Sequence, residues 1–224
     1  MIREFLGSTI AIVGGGRACK AFLEFLTDAV WWFYLFWGAK FLFEQFGVDI
    51  NNIGLPFLVI FIMADAGSLL GGLASGALIK KGWSINKARK ITLLVNAIII
   101  LPVALVSIVE SKWLAVFLIG IGAFGHQSWS INSYTLVPDV FPKKAVASVI
   151  GIGKMVGVVV AIVADLILGS VLDTAGNTGY FWAFIIAGFS YIAILGFVHM
   201  LMPKMTPLDD NLEYFAHLID HIRN

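Results

Sequence analysis

Residues 55–90 read LPFLVIFIMADAGSLLGGLASGALIKKGWSINKARK. The first part, 55–79, holds a single ionisable side chain, Asp65. The second part, 80–90, carries Lys80, Lys81, Lys87, Arg89 and Lys90. A helix needs about 20 consecutive apolar residues to cross the hydrocarbon core of a bilayer. Residues 55–79 are long enough, and the basic run marks where the span leaves the lipid. Gly67, Gly71, Gly72 and Gly76 recur along the span. Small residues at such intervals let neighbouring helices approach closely.

The same pattern repeats on both sides. Apolar stretches lie at roughly 21–43, 55–79, 90–109, 113–137, 145–172 and 179–202, which predicts six spans. Polar segments separate them: Glu44 to Asn52, Lys80 to Lys90, Glu110 to Lys112, Pro138 to Lys144 and Asp173 to Thr178. Composition agrees. Hydrophobic residues make up 59% and charged residues 13% of the 224, and mean hydropathy is +0.92. Soluble domains carry about 25% charged residues, so lipid is the solvent this chain suits. Cys19 is the lone cysteine, which excludes an intrachain disulfide and a cysteine-based metal site. The fold class expected is an all-α membrane protein built as a six-helix bundle.

Lysine and arginine set the direction. The 80–90 loop and the 138–144 loop, with Lys143 and Lys144, are basic, whereas the loops on the other side hold only Lys112. By the positive-inside rule the basic loops are cytoplasmic, and with six spans both termini are cytoplasmic too. Arg17, Lys20 and Lys204 fit that arrangement. The expected organisation is a cytoplasmic lead-in at 1–18, a transmembrane bundle at 19–203 and a cytoplasmic tail at 204–224. Leu208, Leu212, Phe215, Ile219 and Ile222 in that tail are spaced as one face of a surface helix.

Ionisable groups inside spans cost about 2.5–3.5 kcal/mol each near the centre, so each wants a reason. Five stand out: Asp28, Asp65, His126, Lys154 and Asp165. At a rise of about 1.5 Å per residue, Asp65 and His126 fall near the midplane of their spans. Asp28 and Lys154 fall at matching depths on the cytoplasmic side. A pairing of Asp28 with Lys154 is therefore allowed and would relieve two charges at once. Asp165 lies about 16 Å beyond Lys154 along the axis, too far to pair with it. Glu24 reads as an interfacial anchor.

One polar run interrupts the fourth span: residues 123–134, AFGHQSWSINSY. His126, Trp129, Ser130 and Ser133 recur at the i, i+3, i+4, i+7 spacing of one helical face. Hydroxyls, an amide, an imidazole and an indole together can bind a hydroxylated, flat-faced solute. The same groups can instead tie helices together. The serines alone favour ties; the cluster with His126, Gln127 and Trp129 favours a binding face. There is no HExxH, no nucleophile elbow and no pair of carboxylates at catalytic spacing. The expectation is a protein that is not an enzyme, with no cofactor, no metal site and no nucleic-acid partner.

Three stretches carry a family resemblance: TDAVWWFYLFW at 27–37, ADAGSLLGGLASGALIKKGWSINKARK at 64–90, and HQSWSINSYTLVPDVFPKKAVASVIGIGKMVG at 126–157. They resemble the sugar-acid transporters of the major facilitator superfamily, the hexuronate branch of the anion:cation symporters, from about Cys19 to Pro207. Gly76, Leu78, Gly82 and the basic run to Lys90 resemble the superfamily's loop signature, with Lys80 where an acidic residue often stands. Ala29 stands where the family typically has Pro after the aspartate, Gly38-Ala39 where it has Leu-Pro before the lysine, and Lys154 where a small residue is expected.

The resemblance implies twelve helices in two six-helix bundles, of which this chain matches only the C-terminal one. It implies proton symport of a hexuronate such as glucuronate or galacturonate, or of an aldonate, across a bacterial cytoplasmic (inner) membrane. The implied substrate contacts are Gln127, Ser128, Trp129 and Asn132 for hydroxyls or ring, and His126 and Lys154 for the carboxylate. Asp28 and Asp65 are charge-balancing or coupling residues in that scheme. The implied partners are a small sugar acid, protons, the lipid bilayer and an N-terminal six-helix half, in the same or a separate chain. The alternative from a different class is a non-transporting membrane subunit or an inactive transporter fragment.

Overall fold

A computed structural model describes residues 26–141 and 143–201. The lead-in, the first residues of the first span, Glu24, Cys19 and the tail lie outside the described residues. Six helices follow one another: α1 Asp28–Phe46, α2 Gly54–Lys80, α3 Ile85–Ile100, α4 Lys112–Val140, α5 Lys143–Ala175 and α6 Asn177–Leu201. A 3-10 segment, Leu101–Ile108, continues α3. No strand occurs among the described residues. Counting α3 together with its continuation, five of the helices, α2 to α6, are long and apolar enough to cross a membrane by length and composition. At 19 residues α1 is the shorter sixth.

Local sequence explains the ends. Gly47 takes a left-handed φ of 63°, and its N–H and that of Val48 turn back to the carbonyls of Phe43 and Leu42. A β-carbon would be strained there. Ser84 and Ser111 cap α3 and α4, their hydroxyls accepting from the N–H groups of Lys87 and Leu114 at 3.4 Å. Two details differ from expectation. The third span ends in tight 3-10 winding, beginning at Leu101-Pro102, because a proline removes an N–H and crowds the preceding turn. The fourth helix runs through Pro138 to Val140 instead of stopping before it.

Helix α4 is the hub: it packs against α1, α2, α3 with its 3-10 continuation, and α5, and its side chains reach Tyr191 of α6. Its closest neighbour is α2, and glycine is the reason. A β-carbon at Gly67 would collide with the backbone of Phe124, and one at Gly71 with Ser128. Gly76, from the same row of glycines, faces open space. Two apolar cores flank the hub. Phe33, Phe41, Ile119, Tyr180 and Phe184 belong to one; Leu93, Ile100, Trp129, Tyr191 and Leu195 belong to the other. The exterior is greasy, with Leu69, Leu73, Leu166, Ile186 and Met200 all exposed. An apolar surface of this extent suits lipid or a partner helix and not water.

Candidate functional site

Two charges meet between α1 and α5. Lys154 Nζ donates to both carboxylate oxygens of Asp28, at 2.8 Å to Oδ1 and 2.7 Å to Oδ2. The Asp28 side chain is 10% exposed and that of Lys154 33%. The ammonium also lies 4.8 Å from the centre of the Tyr134 ring, a cation–π distance. The pairing allowed by depth is thus formed. Further along the same two helices Trp37 Nε1 donates to Asp165 Oδ1 at 2.9 Å, so the more distant carboxylate has an indole for its partner.

One turn along α1 from Asp28, Trp31 stacks on the His126 imidazole, with centroids 5.2 Å apart and planes 14° from parallel. His126 Nδ1 is hydrogen-bonded to Tyr191 Oη of α6 at 2.6 Å. Trp129 meets the same tyrosine edge-on, 5.2 Å between centroids. The indole of Trp129 is buried, and its N–H has no hydrogen-bond partner among the described residues.

The rest of the polar run turns toward neighbouring helices. Ser128 Oγ donates to Asn96 Oδ1 of α3 at 2.8 Å. Asn132 Nδ2 donates to Gly71 O of α2 at 3.1 Å and to Ser128 O at 2.8 Å. Of the residues expected to contact substrate, His126, Ser128, Trp129 and Asn132 are buried, whereas Gln127 and Lys154 are half-buried. Ser133 is buried and Ser130 half-buried. Asp65 is exposed on α2, one turn from Phe61, whose ring meets Trp31 edge-on at 6.4 Å. The face is real as a helical face, and most of it is spent on packing.

Sequence reasoning missed a second polar centre. Arg89, counted only as a loop charge, donates from Nε to Asp139 Oδ2 at 2.9 Å. Its Nη1 donates to Ser75 Oγ at 2.8 Å and to Asn132 Oδ1 at 3.5 Å. One guanidinium thereby joins α2, α3 and α4 at the end of the bundle where the basic loop lies. Its signal was present but ambiguous: Arg89 sits five residues after the Ser84 cap, already on a helix. Tyr191 and Tyr134 carried no signal, because a lone tyrosine in an apolar span is ordinary. No group of three or more His, Cys, Asp or Glu side chains that could hold a metal occurs among the described residues.

Comparison with known proteins bears on the family. Residues 17–165 match the sequence profile of the Major Facilitator Superfamily. A probable galactarate/D-glucarate transporter of Escherichia coli K12 is 28% identical over 148 residues, 66% of this chain and 33% of the relative. The hexuronate transporter of the same strain is 26% identical over 160 residues, 70% of this chain and 37% of the relative. A D-galactonate transporter of Escherichia coli O6:H1 is 24% identical over 173 residues, 77% of this chain and 39% of the relative. The chain spans little more than a third of the length of these relatives. With the profile covering well over half its residues, the chain belongs to the Major Facilitator Superfamily.

Proposed function

We propose that this chain supplies the C-terminal half of a sugar-acid transporter of a bacterial cytoplasmic membrane, driven by proton symport. Its substrate is a hexuronate such as glucuronate or galacturonate, or an aldonate. The observation that carries the reading is the Lys154 ammonium. It stands inside a span with a third of its side chain open, and ionisable groups at such depth, though paired, mark substrate or ion paths. The relatives are named for galactarate/D-glucarate, hexuronate and D-galactonate. Those molecules share a carboxylate on a polyhydroxylated chain, the chemistry an ammonium and an amide recognise together.

In this scheme Lys154 meets the carboxylate, with His126 tuning that end of the site, and Gln127 bonds hydroxyls. Ser128, Trp129 and Asn132 hold α4 in register against α2, α3 and α6, and reach substrate only if those contacts rearrange. Asp28 balances Lys154, and Asp65 lines the exposed side. Transport itself is rocking of this bundle against an N-terminal six-helix half, in the same or a separate chain, with the site between them. Both termini and the 80–90 loop are then cytoplasmic. The test is uptake of labelled glucuronate, galacturonate, galactarate and galactonate by cells expressing the full gene product. Saturable uptake of at least one supports the reading. Uptake of all four at the level of the empty vector removes it and leaves the non-transporting subunit.

A further inference from the structure

Asp165 stands apart from the polar centres described above. It is half-buried inside the span of α5, and its Oδ1 accepts from Trp37 Nε1 at 2.9 Å. No other hydrogen bond and no cation reaches this carboxylate among the described residues. Lys154, the cation further along α5, is paired with Asp28. A β-carbon at Gly169 would touch the Trp37 ring at 3.4 Å, so the indole is seated against α5 and its hold on Oδ1 is set by packing. One neutral N–H is weak compensation for a full charge at membrane depth, where an ionisable group without a counter-charge marks a site.

The same carboxylate lines a cavity of about 370 Å³ between α1, α5 and α6. Small-molecule sites occupy about 300–1,000 Å³. Asp165 is the only ionisable side chain in the wall among the described residues. The rest is apolar and includes Val30 and Phe33 of α1, Leu168 of α5 and Ala183 of α6. Trp182 and Ile186, which also line it, are exposed, so a solute dissolved in the membrane has access from the apolar exterior.

We propose that this cavity binds a membrane-soluble amine, with a compact apolar body against the wall and a protonated amino group on the Asp165 carboxylate. Charge complementarity selects the occupant. A lipid tail, or an apolar helix of an N-terminal half, would cover the wall and leave Asp165 uncompensated. A sugar acid would bring a second negative charge and hydroxyls that the wall cannot bond. An ammonium offers three donors, and its attraction to a carboxylate is strongest where water is scarce. The amino headgroup of a phospholipid stands too high. Asp165 lies ten residues before the end of α5 at Ala175, about 15 Å along the axis, whereas headgroups stay outside the hydrocarbon core. The site is separate from the Lys154 ammonium, and it does not depend on the sugar-acid reading.

The experiment uses the full gene product in lipid nanodiscs, with empty nanodiscs as the blank. The probes are 1-aminoadamantane and 1-adamantanol, the same apolar body with and without the charge. Titration calorimetry at neutral pH should show saturable binding of one amine per chain. The amine should bind at least about tenfold tighter than the alcohol, the order expected of one charge-assisted hydrogen bond. Asp165→Asn keeps an oxygen for Trp37 and loses the charge, so it should bind the two probes equally. Ala183→Phe fills the cavity without touching the carboxylate and should abolish saturable binding of both. Should Asp165→Asn fail to fold, the wild-type preference and Ala183→Phe still decide. Absence of saturable amine binding by wild type overturns the proposal. So does equal binding of amine and alcohol by wild type, a preference for the amine that survives Asp165→Asn, or binding unchanged in Ala183→Phe.

Discussion

Replacing Lys154 by Met should expose how much the bundle depends on one ion pair. The variant leaves the Asp28 carboxylate, 10% exposed, without its cation. Breaking a buried pair from one side costs about 3–5 kcal/mol, because the remaining charge stays desolvated. The lysine side is 33% exposed and its stem is flexible. Asp28→Asn therefore strands a charge that can turn toward water, and about 1–2 kcal/mol is expected there. The double variant strands nothing and should cost only about 1 kcal/mol. The cycle then gives a coupling of about 3–6 kcal/mol. It can be read from unfolding in detergent micelles, followed by tryptophan fluorescence. The swap Asp28→Lys with Lys154→Asp should be more stable than either single swap. Additivity within about 0.5 kcal/mol, the behaviour of independent sites, would refute the claim that the two helices are joined here.

Other perturbations have equally definite outcomes. Arg89→Gln removes the partner of Asp139 and Ser75 and should lower stability by about 1.5–3 kcal/mol, the range for hydrogen bonds to charged groups, measured by the same unfolding assay. His126→Phe keeps a ring on Trp31 but leaves the buried Tyr191 hydroxyl without its partner; about 1–3 kcal/mol should be lost, and the further change Tyr191→Phe should recover part of it. Gly71→Leu drives a side chain into Ser128 and should destabilise by at least about 1–3 kcal/mol. A β-carbon at Gly76 meets nothing within 4 Å, so Gly76→Ala should be close to neutral, and comparison with Gly71→Ala on a common thermal-melt readout separates packing glycines from incidental ones.

The bundle was legible because its signal is one-dimensional. Span length, basic loops and turn residues are properties of consecutive residues, and α2 to α6 fall where hydropathy placed them. Boundaries moved where a proline behaves differently by position: Pro102 changes the winding, while Pro138 is carried inside α4. Depth counting found the Asp28–Lys154 pair because both helices run in the same direction and the residues are level. The polar face of α4 was harder. Periodicity says that His126, Trp129 and Ser133 share a face, but not what that face meets. Asn96, Gly71 and Tyr191 lie on three other helices, and only the packing of those helices shows that Ser128 and Asn132 serve as ties. Arg89 was misjudged for the same reason: a loop charge and a helix clamp look alike until Asp139 is brought beside it.

The most direct test is whether the site recognises a carboxylate. Uptake of labelled glucuronate by the full gene product should be competed by unlabelled galacturonate and not by glucose, which has the same ring and hydroxyls without the charge. Lys154→Gln should lose that discrimination together with most of the uptake. Equal competition by glucose and galacturonate, unchanged in Lys154→Gln, would contradict the assignment of Lys154 as the group that selects the substrate.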